Sequence, residues 1–408
     1  MTTLQPETVR SWASNAAPAL LALYLVSNLM LRSFTDIWMF IGWTALCSGV
    51  ICGGWEKGPP TIFWGVLALL FCHAAAIPGS LIWGAGNWEE TAGVVLWMAP
   101  AILLYLAANA HRVFVWLIPA FLFHAALVIV EGLTHWYVVG DVMVRKGTNT
   151  GLTNNPNLAA GFLAIGIVYL MTSKRPLFQA LSLPLVVALL FTGSRWGILV
   201  PVAVIGVMAL SGAVPWRVLA GGILALLLTV VGVGLMGHGY QIAGYGSITS
   251  VLNPIVTDVG VRLAVPHIPT FLPSGVAAHP GLHNVPLRIA VESGVIAAAI
   301  WVLITGFALF GFRKHPQPER TPQHEAKHDQ YHPLHNDLPY SSFAHRAGKT
   351  REIGRGNPQD QQIKQTHRWL LLTLVLLSIL DYYTWMGHLG GFWWLLIGLL
   401  TKRPTADK

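Results

Sequence analysis

Long apolar runs alternate with short polar breaks along most of this chain. A helix needs about 20 residues to cross roughly 30 Å of hydrocarbon. Runs near that length occur at 16–34, 36–54, 60–79, 90–109, 112–134, 156–173, 176–193, 195–213, 216–237, 284–312, 368–386 and, shortest, 389–401. They do not switch polarity residue by residue, as the strands of a membrane barrel would. The pattern predicts an all-α integral membrane protein, a polytopic bundle of about 12 transmembrane helices. The first run follows a polar segment without a cleavage-site pattern, so it reads as a retained helix and not a signal peptide.

Three regions follow. Residues 1–312 hold helices 1–10 and a long loop, 237–284, between spans 9 and 10. Residues 313–367 are polar, rich in His, Pro and Gln, and too poor in apolar residues to bury a core, so they read as a disordered loop. Their histidines, among them His315, His324 and His328, admit metal binding, but a solvated linker is the preferred reading. Residues 368–408 hold helices 11 and 12 and a short tail.

Charge sharpens this picture. Only 10% of the 408 residues are charged and 54% are hydrophobic, against about 25% charged in soluble domains. The net charge of +8 matters less than its placement. With the N-terminus in the cytoplasm, Lys57, Arg112, Lys174, Arg175, Arg217, Arg313, Lys314, Lys402 and Arg403 all fall on cytoplasmic breaks, as the positive-inside rule requires. No nucleic-acid partner is expected. Cys47, Cys52 and Cys72 lie in apolar runs and form neither a disulfide framework nor a metal-site spacing.

The cations left on the outer side need a reason. They are Arg32, Arg145 with Lys146, Arg195, Arg262 and Arg288. Arg32 and Lys146 can snorkel to the headgroup level. Arg195 falls in a hairpin of about two residues between spans 7 and 8, and Arg262 in a loop with one other charged residue, Asp258. A guanidinium stays charged and offers a planar fork to phosphate, so each is either an anion ligand or a headgroup anchor. Residues 144–161, VRKGTNTGLTNNPNLAAG, form a turn-rich entry to span 6, where Asn154 or Asn155 can cap the helix and Pro156 its first turn. Amides at such an N-terminus suit phosphate. His283 and Asn284 stand at the mouth of span 10, with Glu292 further in, and histidine is the side chain best placed to exchange a proton near neutral pH. Trp83, Trp88, Trp136, Tyr137, Tyr240, Tyr382 and Trp385 sit near outer ends, as interface-belt residues or as platforms for sugars. Asp381 ends span 11 near the same side, within reach of an arginine partner.

Three segments carry a resemblance. GTNTGLTNNPNLAAGF (147–162), LLFTGSRWGILV (189–200) and HNVPLRIAVESGVIAAAIW (283–301) resemble, in that order, the motif segments of the O-antigen ligase and O-antigen polymerase superfamily. The likeness in segment order runs from about residue 90 to the C-terminus. It implies an inner-membrane glycosyltransferase whose active site faces the periplasm, which makes 237–284 a periplasmic loop and 313–367 a cytoplasmic one. The donor it implies is a glycan on undecaprenyl diphosphate, and for the ligase branch the acceptor is a sugar hydroxyl of lipid A–core. It implies no cofactor and no metal. Residue by residue, His283 matches a general base, Arg195 and Arg262 the two arginines that hold the diphosphate, and Arg145 a third. Arg288, Asn155 and Asn157 fall within the same diphosphate-binding segments, with Asn284, Glu292 and Asp381 in support.

Within the superfamily the ligase is the expected member. The polymerase pattern of arginine followed eleven residues on by glycine fails, since Arg145 leads to Pro156 and Arg262 to Pro273. Residues 402–408 follow the last span, without the soluble domain of the protein O-oligosaccharyltransferases. A lipid or glycan transporter is the distant alternative; it predicts ionisable residues at mid-span and an internal repeat.

Overall fold

The computed structural model describes residues 16, 18–27, 29, 44, 61–75, 112–134, 149–153, 155–233, 284–311, 358–380 and 389–401. Every regular element among them is an α-helix. In chain order these are α1 (Pro18–Ser27), then α2 (Thr61–Ala74), α3 (Val113–Thr134), α4 (Pro156–Met171), α5 (Pro176–Ala180), α6 (Ser182–Phe191), α7 (Arg195–Leu210), α8 (Trp216–Val233), α9 (Val285–Ser293), α10 (Val295–Phe310), α11 (Pro358–Leu380) and α12 (Gly390–Thr401). By length and composition α3 alone among the described helices clearly reaches the requirement for crossing a membrane; α1, α4, α7, α10 and α12 are shorter apolar helices. The predicted spans at 36–54, residue 44 apart, and 90–109 lie outside the described residues.

The centre of the bundle is α4. Its sequence, PNLAAGFLAIGIVYLM, is apolar on every face, and 13 of its 16 residues are buried. A helix without a polar face needs neighbours all round, and α3, α6, α7 and α11 supply them. Small residues set how closely they approach. A Cβ added at Gly166 would come within 2.7 Å of Leu185 of α6 and 2.8 Å of the Phe121 ring of α3, and one added at Gly197 of α7 would collide with the Cβ of Ala160. Aromatic contacts fill the lower core: Phe114 lies 5.3 Å from Tyr169 and 5.7 Å from His367, and Phe121 lies 4.6 Å from Phe162. Trp301 of α10 stacks on Trp393 of α12 at 5.4 Å.

Gly197→Ala should therefore destabilise, by about 1–3 kcal/mol for a forced overpacking. Gly206→Ala on the same helix meets nothing within 4 Å and should be neutral or stabilising by up to about 1 kcal/mol, since alanine is the better helix former. Thermal unfolding of the two variants in detergent checks the contrast; shifts of the same sign would show that the α4–α7 contact does not limit stability.

Two boundaries differ from the hydropathy reading. The predicted span 284–312 is two helices, because Gly294 takes φ +91° and interrupts the ladder between α9 and α10. And α11 begins at Pro358, so residues 358–367, assigned from composition to the polar loop, are helical. His367 is buried beside Phe114. The rest of 313–357 lies outside the described residues.

Candidate functional site

One end of the bundle is tied together by a continuous polar seam. It starts at Glu131, in the last turn of α3 and only 1% exposed. Its Oε2 accepts the backbone N–H groups of Thr150 at 3.0 Å and Gly151 at 2.8 Å. Gly151 has φ +58°, which a side-chain-bearing residue adopts only at a cost, and the turn closes through the Thr153 N–H to the Thr150 carbonyl at 3.0 Å. Fully buried Asn149 donates from Nδ2 to the carbonyl of Phe191, the last residue of α6, at 2.8 Å. The segment before α4 is thus pinned to the ends of two other helices.

Asn155 then caps α4. Its backbone is extended, and its Oδ1 accepts the N–H groups of Asn157 at 2.8 Å and Leu158 at 3.4 Å, with Pro156 at the first helical position. The Ala159 N–H closes on the Asn155 carbonyl. The amides of Asn157 and Leu158, expected from the sequence to face a phosphate, are therefore engaged by the cap. Asn157 Oδ1 is itself an acceptor for the Ser194 hydroxyl at 2.8 Å.

That hydroxyl joins α4 to α7. Ser194 donates to Asn157 while its oxygen accepts the Gly197 N–H at 3.2 Å, capping α7. The turn from α6 runs through Thr192, Gly193 (φ +68°) and Ser194. It is one residue longer than expected, and Arg195 is not in it but is the first residue of α7. The Asn284 segment closes the same end: Asn284 caps α9 by accepting the Leu287 N–H at 3.0 Å and donates from Nδ2 to the carbonyl of Ile379 in α11 at 3.2 Å. A Cβ at Gly161, in the second turn of α4, would meet Leu389 and Leu377, which places the end of α11 and the start of α12 beside them. Arg288 lies one turn into α9, half buried, and Glu292 stands next to the last residue of that helix. His283, Arg262, Arg145 and Asp381, with the outer tryptophans and tyrosines, lie outside the described residues.

Asn155, Asn157, Arg195, Asn284 and Arg288 are thus on helix starts at one end of the bundle. The opposite end carries Arg112 just before α3, Lys174 and Arg175 in the turn after α4, Arg217 at the start of α8, and Lys364 and Arg368 in the first half of α11. Two residues of the site region were not singled out from the sequence. Glu131 and His124 are seven apart, two turns of α3 on one side. His124 is fully buried, edge-on to Phe162 at 5.5 Å, with neither ring nitrogen hydrogen-bonded among the described residues. A Cβ at Gly151 would lie 2.8 Å from its Cε1, so the glycine turn rests on the imidazole. The available signal was an ionisable pair at helical spacing inside an apolar run. No group of three or more metal-ligating side chains occurs among the described residues.

Asn155→Ala should cost about 0.5–2 kcal/mol of stability through the lost cap. Asn155→Asp or Asn155→Ser, which also accept from the helix amides, should recover most of it in thermal unfolding; no recovery would mean that the Asn155 side chain acts elsewhere than on the amides of α4. Comparison with protein-family models, curated proteins and solved structures gives no match to this chain.

Proposed function

We propose that this protein is an O-antigen ligase of the bacterial inner membrane, a polytopic bundle of about 12 helices with its active site on the periplasmic side. The observation that carries the reading is that the three motif segments share one end of the bundle: 149–157 and 192–195 are joined by the Ser194–Asn157 hydrogen bond, and 284–288 is bonded to the end of α11, whose Leu377 lies beside Gly161 of α4. Of the described cations, Arg112, Lys174, Arg175, Arg217, Lys364 and Arg368 lie at the other end, against Arg195 and Arg288 at this one, a bias of the kind the positive-inside rule gives a cytoplasmic face. Exposed Ile223, Leu224, Leu227, Leu228 and Val231 on α8 supply the apolar surface that lipid would cover.

In this reading His283 takes the proton of a lipid A–core hydroxyl as its oxygen attacks the anomeric carbon of the glycan. The bond from that carbon to the diphosphate breaks, and undecaprenyl diphosphate leaves with the electron pair. Arg195 and Arg262, with Arg145 and Arg288, hold the diphosphate and stabilise its growing charge. Attack from the opposite side inverts the anomeric centre. No metal or other cofactor takes part.

The test is deletion of the gene followed by analysis of the cell's lipopolysaccharide and carrier lipid. A ligase leaves core without O-antigen while polymer accumulates on undecaprenyl diphosphate. Core bearing a single repeat would instead assign the polymerase, normal lipopolysaccharide with unglycosylated protein would assign the protein O-oligosaccharyltransferase, and loss of polymer from the periplasmic leaflet would assign a transporter.

A further inference from the structure

At the end of the bundle away from the seam, α10 and α11 enclose a groove of about 570 Å³. Its polar wall is Gln361, Lys364, Gln365 and Arg368, and Leu309 and Phe310 stand opposite. Lys364 and Arg368 are four residues apart, one turn on the same side of α11. No acidic side chain lines the groove among the described residues, so two positive charges face one cavity. Arg368 also lies against the end of α10. A Cβ built at Gly311 would lie 3.3 Å from its Nη2, so the guanidinium crosses the glycine that ends α10 with φ +61°. That is the negative end of the α10 dipole, a favourable seat for a cation.

The apolar side of the groove runs on along α10. Leu303 is 71% exposed and Phe310 80%, with Phe307 between them, and the spacings of four and three put all three on one stripe. A cationic pair at the head of an exposed apolar stripe matches a molecule with a phosphate at one end and a hydrocarbon chain at the other. A free anion would use the cations and leave the stripe uncovered.

We propose that this groove binds an anionic phospholipid of the cytoplasmic leaflet, its phosphate on Lys364 and Arg368 and an acyl chain along Phe310, Phe307 and Leu303. Basic pockets between membrane helices on that side hold such headgroups. The proposal rests on the membrane reading above but not on the ligase chemistry.

The experiment uses the full chain in an uncharged detergent, titrated with dioleoyl phosphatidylglycerol or dioleoyl phosphatidylcholine and read by native mass spectrometry. Retention of phosphatidylglycerol should exceed that of phosphatidylcholine at least about 10-fold, as two cations near a phosphate imply. The double variant Lys364→Gln, Arg368→Gln should lose the preference, while Arg217→Gln, an exposed cation at the same end but outside the groove, should keep it. Should the double variant misfold, wild-type protein decides by itself through the preference and its loss in high salt. Equal retention of the two lipids overturns the proposal, and so does an unchanged preference in a folded double variant. Saturable binding of sn-glycerol 3-phosphate that displaces the lipid would make this a soluble-anion site, which also overturns it. A protein that stays monodisperse without detergent would sink the membrane reading; lack of lipid preference in a protein that needs detergent sinks this proposal alone.

Discussion

Transfer of the glycan from its carrier should fall about 10²–10³-fold when Arg195 is replaced by alanine, and further when Arg262 is replaced with it. That range is what removing one preorganised donor from a developing oxyanion costs. The diphosphate gains charge as the glycosidic bond breaks, so a guanidinium fixed beside it stabilises the transition state more than the ground state. Arg195 opens α7, and its neighbour Ser194 is locked by the bonds to Asn157 and Gly197, so the backbone that presents the arginine is rigid. Arg195→Lys keeps a charge but not the planar fork and should fall between wild type and alanine. His283→Ala should lower the rate by about 10²–10⁴-fold through loss of the base, with donor binding little changed. The measurement is transfer by purified protein in liposomes holding lipid-linked glycan and lipid A–core, with a chelator present throughout. Full transfer by the Arg195→Ala, Arg262→Ala protein removes the diphosphate clamp. A strict need for a divalent cation removes the idea that arginines act in its place.

Much of the helical layout was legible as hydropathy because an apolar run without breaks has few other ways to satisfy its backbone. The runs at 112–134, 156–173, 195–213 and 216–237 match α3, α4, α7 and α8 to within a few residues. The asparagine cap of α4 was readable too, since Asn-Pro is a local signal. Other features depend on tertiary contacts. Gly294 breaks the tenth run through its backbone angle, but glycines elsewhere in these helices do not, and composition does not separate the two cases. Helix α11 starts before its apolar stretch, and its polar first half reaches into the core at His367, buried against Phe114 of α3, a contact that composition does not announce. The role of Asn157 was legible only as a motif letter. Its bond to Ser194 spans 37 positions of sequence and exists only once α4 and α7 have packed.

The residue whose loss should damage the fold most is one that no motif contains. Glu131→Ala should lower stability by about 2–6 kcal/mol, because two buried N–H groups lose their acceptor at about 1–3 kcal/mol each. The consequence reaches the site by a short route. Without Glu131 the turn at Thr150 and Gly151 is released; Asn149 then has no fixed place from which to reach the Phe191 carbonyl, and the approach to the Asn155 cap loosens. Glu131→Gln separates acceptance from charge, since its amide oxygen can still take both N–H groups. It should stay within about 1 kcal/mol of wild type and keep most of the transfer rate, because the turn needs an oxygen at that point more than an anion. Thermal unfolding in detergent and transfer in liposomes read the two variants side by side. If the glutamine protein is as unstable as the alanine one, the carboxyl group serves through its charge, with His124 two turns earlier on α3 as the first residue to examine. If both retain wild-type stability and rate, the turn before α4 is held by other contacts and the seam does not organise this end of the bundle.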